Sequence, residues 1–225
     1  MSVWSDVLIG IAVVAGSILL VKNAYMWSIY GRSIQTEIYS NFLEYQLRRK
    51  SLTKLSESYY LNSVFGKHRI VYQMAQAKNE KAPQAYVILI LASGLYILNV
   101  KNQSGRVLAK RKGDFKQYFK DRGKEEKLFL FRNPLDEVRF FEKRLKEKLP
   151  SAECPVTNMV VFPQRCQLSW DGQEDGEIQV LRRKQLFGVI KEHFEKNPAV
   201  LTEGQIDDIF HALADEAIKL EKANQ

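Results

Sequence analysis

The sequence predicts an α/β fold, a mixed central sheet flanked by helices, preceded by a single N-terminal transmembrane helix. Three observations carry the prediction. Val7 to Val21 is an uncharged apolar run. Two short β-type runs, 86–92 and 95–101, meet at a Ser93-Gly94 turn. Stripes of helical period stand on either side of them, giving the order helix, strands, helix, strand, strand, helices. Composition agrees. Apolar residues make up 45% of the 225 and charged residues 27%, which excludes a disordered tail and a multi-spanning membrane protein. Two cysteines are too few for a disulfide scaffold or a structural zinc site, so a core must hold the fold.

The N-terminal run reads VLIGIAVVAGSILLV, with Ser17 its one conventional polar side chain. At about 1.5 Å per residue it is shorter than the roughly 30 Å hydrocarbon core. Its flanks extend it: Trp4 before, and Tyr25, Trp27 and Tyr30 after, suit the headgroup layer, and Lys22 can snorkel. A cleaved signal peptide and a buried core helix are the competing readings. The first lacks a positive start and a clear small-x-small cleavage site. The second needs a helix apolar on all faces at the edge of a small domain. Asp6 precedes the run while Lys22 and Arg32 follow it, so the positive-inside bias places the remainder in the cytoplasm.

Beyond the anchor, Ile34, Ile38, Phe42, Leu43 and Leu47 predict an amphipathic helix over about 33–50, ending in Arg48-Arg49-Lys50. Residues 54–66 are ambiguous. Arg69 to Gln76 predicts a strand, AKNEKAPQ (77–84) a turn, then the two-run hairpin and a turn over Asn102–Gly105. Leu128–Phe131 predicts a short strand. Asn133-Pro134 then opens a helix whose buried stripe is Leu135, Val138, Phe141, Leu145 and Leu149. Strands follow at Met159–Phe162 and Ile178–Leu181, and a helix over Leu186–Phe194. Thr202-Glu203-Gly204-Gln205 matches a capping box, so a last helix runs from about 203 to 222. The expected division is 1–30 anchor and flank, 31–170 domain, and 171–225 a strand and helices that extend it.

The charge is concentrated. The chain carries a net +8, and the window 101–148 alone holds 16 Lys and Arg against 8 Asp and Glu. Its centre, KRKGDFKQYFKDRGK (110–124), interleaves cations with Phe115, Tyr118 and Phe119. Cations neutralise phosphates and rings stack on unpaired bases, so Lys110, Arg111, Lys112, Lys116, Tyr118, Lys120 and Arg122 are candidate nucleic-acid contacts. A plain solvated face and a patch for anionic lipid are the alternatives. His68, His193 and His211 lack ligand spacing and read as surface or satisfied residues. Cys154 and Cys166 read as free thiols. No Ser-His-Asp arrangement, Walker loop or dinucleotide fingerprint is present.

Thr36-Glu37 on the first helix, YVILILASGLYILNVKNQSG (86–105), the aromatic basic stretch, Asn133-Pro134 and NMVVF (158–162) together resemble a NERD domain. This nuclease-related domain has a core similar to the restriction-endonuclease-like fold, and the similarity covers roughly residues 31–170. The resemblance implies carboxylates around a divalent metal: a helix glutamate, an aspartate at the start of the first hairpin strand, and Glu-x-Lys on the second. In such a site the metal would activate water, with the lysine assisting.

Carried over residue by residue, Glu37 matches the helix glutamate and Lys101 the lysine. Asn99 stands at the Glu of Glu-x-Lys and Tyr86 at the aspartate. An amide brings no charge, and a phenol is a poor magnesium ligand at neutral pH. The expectation is a nuclease-like fold with a vestigial site, no resident cofactor, and a role in binding nucleic acid or another polyanion. An active nuclease with a rearranged site is the alternative, taking Mg or Mn through a relocated carboxylate; of Glu44, Glu80 and Asp114, Glu44 stands two helical turns from Glu37, about 10 Å along the axis and too far to bind the same ion, while Glu80 or Asp114 would have to fold back. A protein-interaction scaffold at the membrane, with an unidentified protein partner, is the third reading. Partners expected on these grounds are the membrane through 7–21 and nucleic acid or anionic lipid through 101–148.

Overall fold

The computed structural model describes residues 3–75, 84–120, 125–149, 154–170 and 178–223. Helix α1 (Val3–Arg32) is one continuous rod of 30 residues. Leu8, Ile11, Ile18 and Leu20 are all exposed on it, and none of its most apolar window is buried in the protein. That removes the core-helix reading. Among the described residues this is the one helix long and apolar enough to cross a membrane.

The helix expected over 33–50 is broken into α2 (Gln35–Ile38) and α3 (Phe42–Arg48). The break has a physical cause. Asn41 takes an extended conformation and caps α3, its Oδ1 accepting from Glu44 N at 2.9 Å. The Glu44 carboxylate in turn accepts from Ser40 N (2.8 Å), Ser40 Oγ (2.6 Å), Arg48 Nε (2.9 Å) and Tyr59 N (2.6 Å). Burial pushes this carboxyl up, but the four donors outweigh it and hold its pKa below the ordinary 4.5. Glu44 is thus a saturated structural acceptor rather than a relocated metal ligand. The expected apolar stripe splits with the helix: Ile34 and Ile38 are buried, while Leu43 and Leu47 are exposed.

The ambiguous stretch resolves into α4 (Leu52–Leu55) and α5 (Tyr59–Phe65). Ser58 caps α5 by accepting from Leu61 N at 3.3 Å. His68 is buried just beyond. Its Nδ1 lies 2.9 Å from the Gly66 carbonyl oxygen, which only accepts, so Nδ1 carries the proton and Nε2 accepts from Ser58 N at 3.0 Å.

Among the described residues nine strands follow in chain order: β1 (Arg69–Ala75), β2 (Gln84–Leu91), β3 (Gly94–Val100), β4 (Gly105–Ala109), β5 (Phe115–Phe119), β6 (Lys127–Phe131), β7 (Val156–Phe162), β8 (Cys166–Trp170) and β9 (Ile178–Arg182). They form two mixed sheets, β1-β2-β3-β7-β9 and β6-β5-β4-β8. In the larger, β1, β2 and β3 pair antiparallel while β3, β7 and β9 run parallel. The β2–β3 hairpin turns through Ala92 and Ser93, and Gly94, at φ +128, stands where a Cβ would lie 2.5 Å from the Pro155 carbonyl oxygen ahead of β7. Of the second sheet the sequence showed only β6; β4 and β5 fall in the stretch read as turn and basic segment, and β4, β5 and β8 are each only five residues long, too short to show a clear period.

The large sheet is buried on both faces, which is why β2 and β3 read as near-continuous apolar runs. On one face Ile88, Ile90, Leu95 and Ile97 pack with Val107 and Phe115 of the second sheet, α6 (Pro134–Lys146) and α8 (Glu203–Ala223). On the other, Val87, Leu89, Leu98 and Val161 pack with Ile34, Ile38, Leu61 and α7 (Leu186–Lys196). The predicted capping box is present: Thr202 N donates to Gln205 Oε1 at 2.9 Å, and Gln205 N to Thr202 Oγ1 at 3.3 Å. Asp207 ties α8 to the start of β1 through Lys67 (2.8 Å) and Arg69 (2.6 Å).

Stability on the acid side depends on two of these groups. Burial holds the His68 pKa below the ordinary 6.5, so the folded state keeps its neutral ring. That stabilisation is complete above about pH 6.5 and falls as the pH drops below it, because the unfolded chain takes up the proton first. Glu44 adds a second loss below its ordinary 4.5. Urea midpoints should therefore decline as the pH falls below about 6.5, and His68→Gln should flatten that decline. An equal slope in the variant refutes the assignment.

Candidate functional site

Strand register brings the predicted residues together. Tyr86 on β2 lies directly opposite Asn99 on β3. Tyr86 packs on the same sheet face as Ile88 and Ile97, and alternation along β3 puts Asn99 and Lys101 there too. Helix α6 supplies the lid. Asn133 caps it, accepting from Leu135 N at 3.0 Å, and Pro134 starts it. That fixes the phase so that Glu137 and, one turn later, Phe141 face the strand pair. Phe141 stacks on Tyr86 with ring centroids 3.8 Å apart and planes 6° off parallel.

Glu137 is the group that sequence reasoning missed. Its Oε2 accepts from Lys101 Nζ and from Asn99 Nδ2 at 3.3 Å. Lys101 Nζ also donates to Gln84 Oε1 at 2.7 Å. The Lys101 and Glu137 side chains are only 3% and 7% exposed, so this is a buried ion pair. Because Asn99 must offer its NH₂ to the carboxylate, its orientation is fixed, and Oδ1 is left buried without a hydrogen-bond partner. The missed signal was the phase that Asn133-Pro134 sets for α6. It places Glu137 one turn before Phe141, on the margin of the buried stripe, where a charged residue reads by default as solvated.

Glu37 is placed differently. Helix α2 packs on the opposite sheet face, and Glu37 Oε1 lies 3.3 Å from Arg183 Nε, an ion pair without hydrogen-bond alignment. Arg183 also donates from Nη1 to the Ser33 carbonyl at 2.6 Å, holding the end of α1 to the turn after β9. A cavity of about 290 Å³ lies at these strand ends, walled by Ser33, Gln35, Tyr86, Lys101, Asn102 and Arg183. It sits outside the carboxyl ends of the parallel β3 and β7, the usual place for a ligand in such sheets.

The donor set does not fit a divalent cation. It offers one neutral amide oxygen, one phenol and one carboxylate that already faces an ammonium, which would repel the ion. Among the described residues no group of three or more His, Cys, Asp or Glu stands ready to hold a metal. Asp114 is exposed between β4 and β5, and Glu80 lies outside the described residues.

The basic stretch is ordered into strand and bend. Lys110, Arg111 and Lys112 are exposed in the connection after β4, which Asn133 Nδ2 tethers through the carbonyls of Lys110 (3.4 Å) and Arg111 (3.3 Å). Lys116 and Tyr118 share one face of β5, and Lys120 follows it; Arg122 lies outside the described residues. The aromatics divide. Phe115 is buried in the core, Tyr118 lies under the Arg106 guanidinium at 4.4 Å, and Phe119 is exposed. All three histidines are partnered: besides His68, His193 Nδ1 meets Tyr96 OH at 3.0 Å and His211 Nδ1 meets Asp215 Oδ1 at 3.1 Å. Cys154 and Cys166 are free and buried, and burial pushes both thiols up to about 11.

Removing one member of the buried pair should be costly. Glu137→Ala leaves the Lys101 ammonium uncompensated and should lose about 3–5 kcal/mol in denaturant titration, whereas the double change Lys101→Met with Glu137→Leu should lose far less. Comparable losses in both would mean that packing, not charge, sets the cost. Both thiols should resist alkylation at neutral pH in the folded protein and react once urea unfolds it, as mass spectrometry would record.

No curated protein and no solved structure matches this chain. The family model of the nuclease-related domain, NERD, does match it, over residues 38–163. That interval begins in α2, contains Tyr86, Asn99, Lys101 and Glu137, and ends just past β7. With more than half of its length inside the match, this chain belongs to the NERD family.

Proposed function

We propose that this protein is a membrane-anchored, cytoplasm-facing NERD protein that binds nucleic acid or a related polyanion and no longer cleaves it with a metal ion. One observation carries the loss of cleavage. Where the family pattern implies a metal held by carboxylates, Lys101 is neutralised by Glu137 from α6 and the neighbouring position is closed by the Tyr86–Phe141 stack. An ammonium spent on a buried ion pair is not available to a phosphate in flight, and opening the pair would strand a buried charge.

The binding half is supported by charge placement. Lys110, Arg111, Lys112 and Lys120 are exposed along one connection and strand, and Arg32 and Arg183 border the cavity at the strand ends. Such an array attracts a polyanion with strong dependence on salt. The cytoplasmic side follows from Lys22 and Arg32 after the apolar run.

The reading is tested on the full chain in detergent or nanodiscs. Affinity for single-stranded and duplex oligonucleotides should fall steeply with salt. Neutralising Lys110, Arg111 and Lys112 together with Gln should lower the slope of log K against log salt by about 3 on duplex. Incubation with Mn²⁺ or Mg²⁺ should leave the nucleic acid intact. Cleavage that disappears in Glu37→Ala or Lys101→Ala would establish the rearranged nuclease instead, and absence of binding near physiological salt would favour the scaffold.

A further inference from the structure

Helix α3 raises a problem that the nuclease-related site does not answer. Leu43 and Leu47 stand one turn apart on it and are 71% and 64% exposed. Large apolar side chains at that spacing ordinarily mark a buried face. Here a second face of α3 is already committed to the domain, through Glu44 and Arg48, and a third to α1.

The contacts with α1 fix where α3 sits along the anchor. Phe42 stacks on Trp27 (centroids 6.3 Å) and packs on Tyr30 (5.5 Å), Tyr45 stacks on Tyr30 (5.4 Å), and Arg49 Nη1 reaches Met26 Sδ at 3.7 Å. Met26 and Trp27 lie five and six residues past Val21, the last of the apolar run, which is about 8–9 Å along the helix axis. That distance reaches the outer edge of a headgroup layer roughly 5–8 Å thick on each side. Arg49, Lys50 and Lys54 are exposed next to the two leucines, and Trp27 is exposed on α1 itself.

We propose that α3 is an interfacial helix that lies on the bilayer beside the anchor, with Leu43 and Leu47 dipping among the acyl chains and Arg49, Lys50 and Lys54 meeting anionic headgroups. The inference rests on α1 spanning the membrane. Continuity with α1 and the match between cations and anionic lipid select a bilayer over a second copy of the chain as the occupant. Its consequence is orientational. The domain is held to the membrane at two places, so the cavity near Arg32 and Ser33 faces the bilayer at a fixed distance rather than swinging on a tether.

The test uses the full-length protein in vesicles of phosphatidylcholine and phosphatidylglycerol with brominated acyl chains. A polarity-sensitive fluorophore is attached in separate variants, Val14→Cys, Leu47→Cys and Val200→Cys. All three positions are exposed, so the fold is not at stake, and the buried native thiols do not compete. Val200 bonds to Ala92 at the hairpin turn, the far end of the large sheet, and serves as the distant control. The expected result is a blue shift and loss of intensity at positions 14 and 47 and neither at 200, with the loss at 47 reduced in phosphatidylcholine alone. Quenching at 14 without 47 overturns the interfacial helix and leaves the anchor standing. No quenching at 14 overturns both. Quenching at 47 only by a second labelled copy assigns the face to a dimer and also overturns the proposal.

Discussion

A lysine ammonium buried inside a sheet-and-helix core constrains everything around it. Lys101 lies at the end of β3, under α6, where an unpaired charge is not tolerated. Glu137 is the answer, and supplying it fixes the phase of α6, since only that rotation brings the carboxylate over β3 while Leu135, Val138 and Phe141 enter the core. The same rotation lays Phe141 flat on Tyr86. The pair therefore aligns strand, helix and aromatic stack at once.

A second constraint acts at the join between α1 and the rest of the fold. Helix α1 runs without a break from the apolar run to Arg32. Tyr30 at its end is buried against Phe42 and Tyr45, and its hydroxyl donates to the Tyr39 carbonyl at 3.3 Å. Arg183 holds Ser33 from the other side, and Glu44 gathers Ser40, Arg48 and Tyr59 around one buried carboxylate. The turns leaving α1 are packed into the fold, so helix and domain form a single mechanical piece at this joint.

Much of this was legible in the residues. The uncharged run, the Ser-Gly hairpin, the Asn-Pro start of α6 and the Thr-x-x-Gln capping box each follow from local chemistry, and each forms as read. The break at 39–41 was not, because the apolar spacing runs through it while an asparagine cap and a carboxylate with four donors overrule it. Strands β4, β5 and β8 were hidden for a different reason. Strands of five residues show too few alternations to be read as a period until a partner is known.

For the site, the family resemblance singled out positions 86, 99 and 101, with a phenol at 86 and an amide at 99 where it implies carboxylates, and alternation along β3 puts Asn99 and Lys101 on one face. Alternation along strands is a local rule, and a tight turn fixes the register. Only the tertiary structure decided which groups these residues meet. Glu137 lies 36 residues from Lys101 along the chain, and Arg183 lies still further from Glu37. Such pairings are set by how helices dock on a sheet, where burial makes a partner obligatory, and no local spacing records the choice.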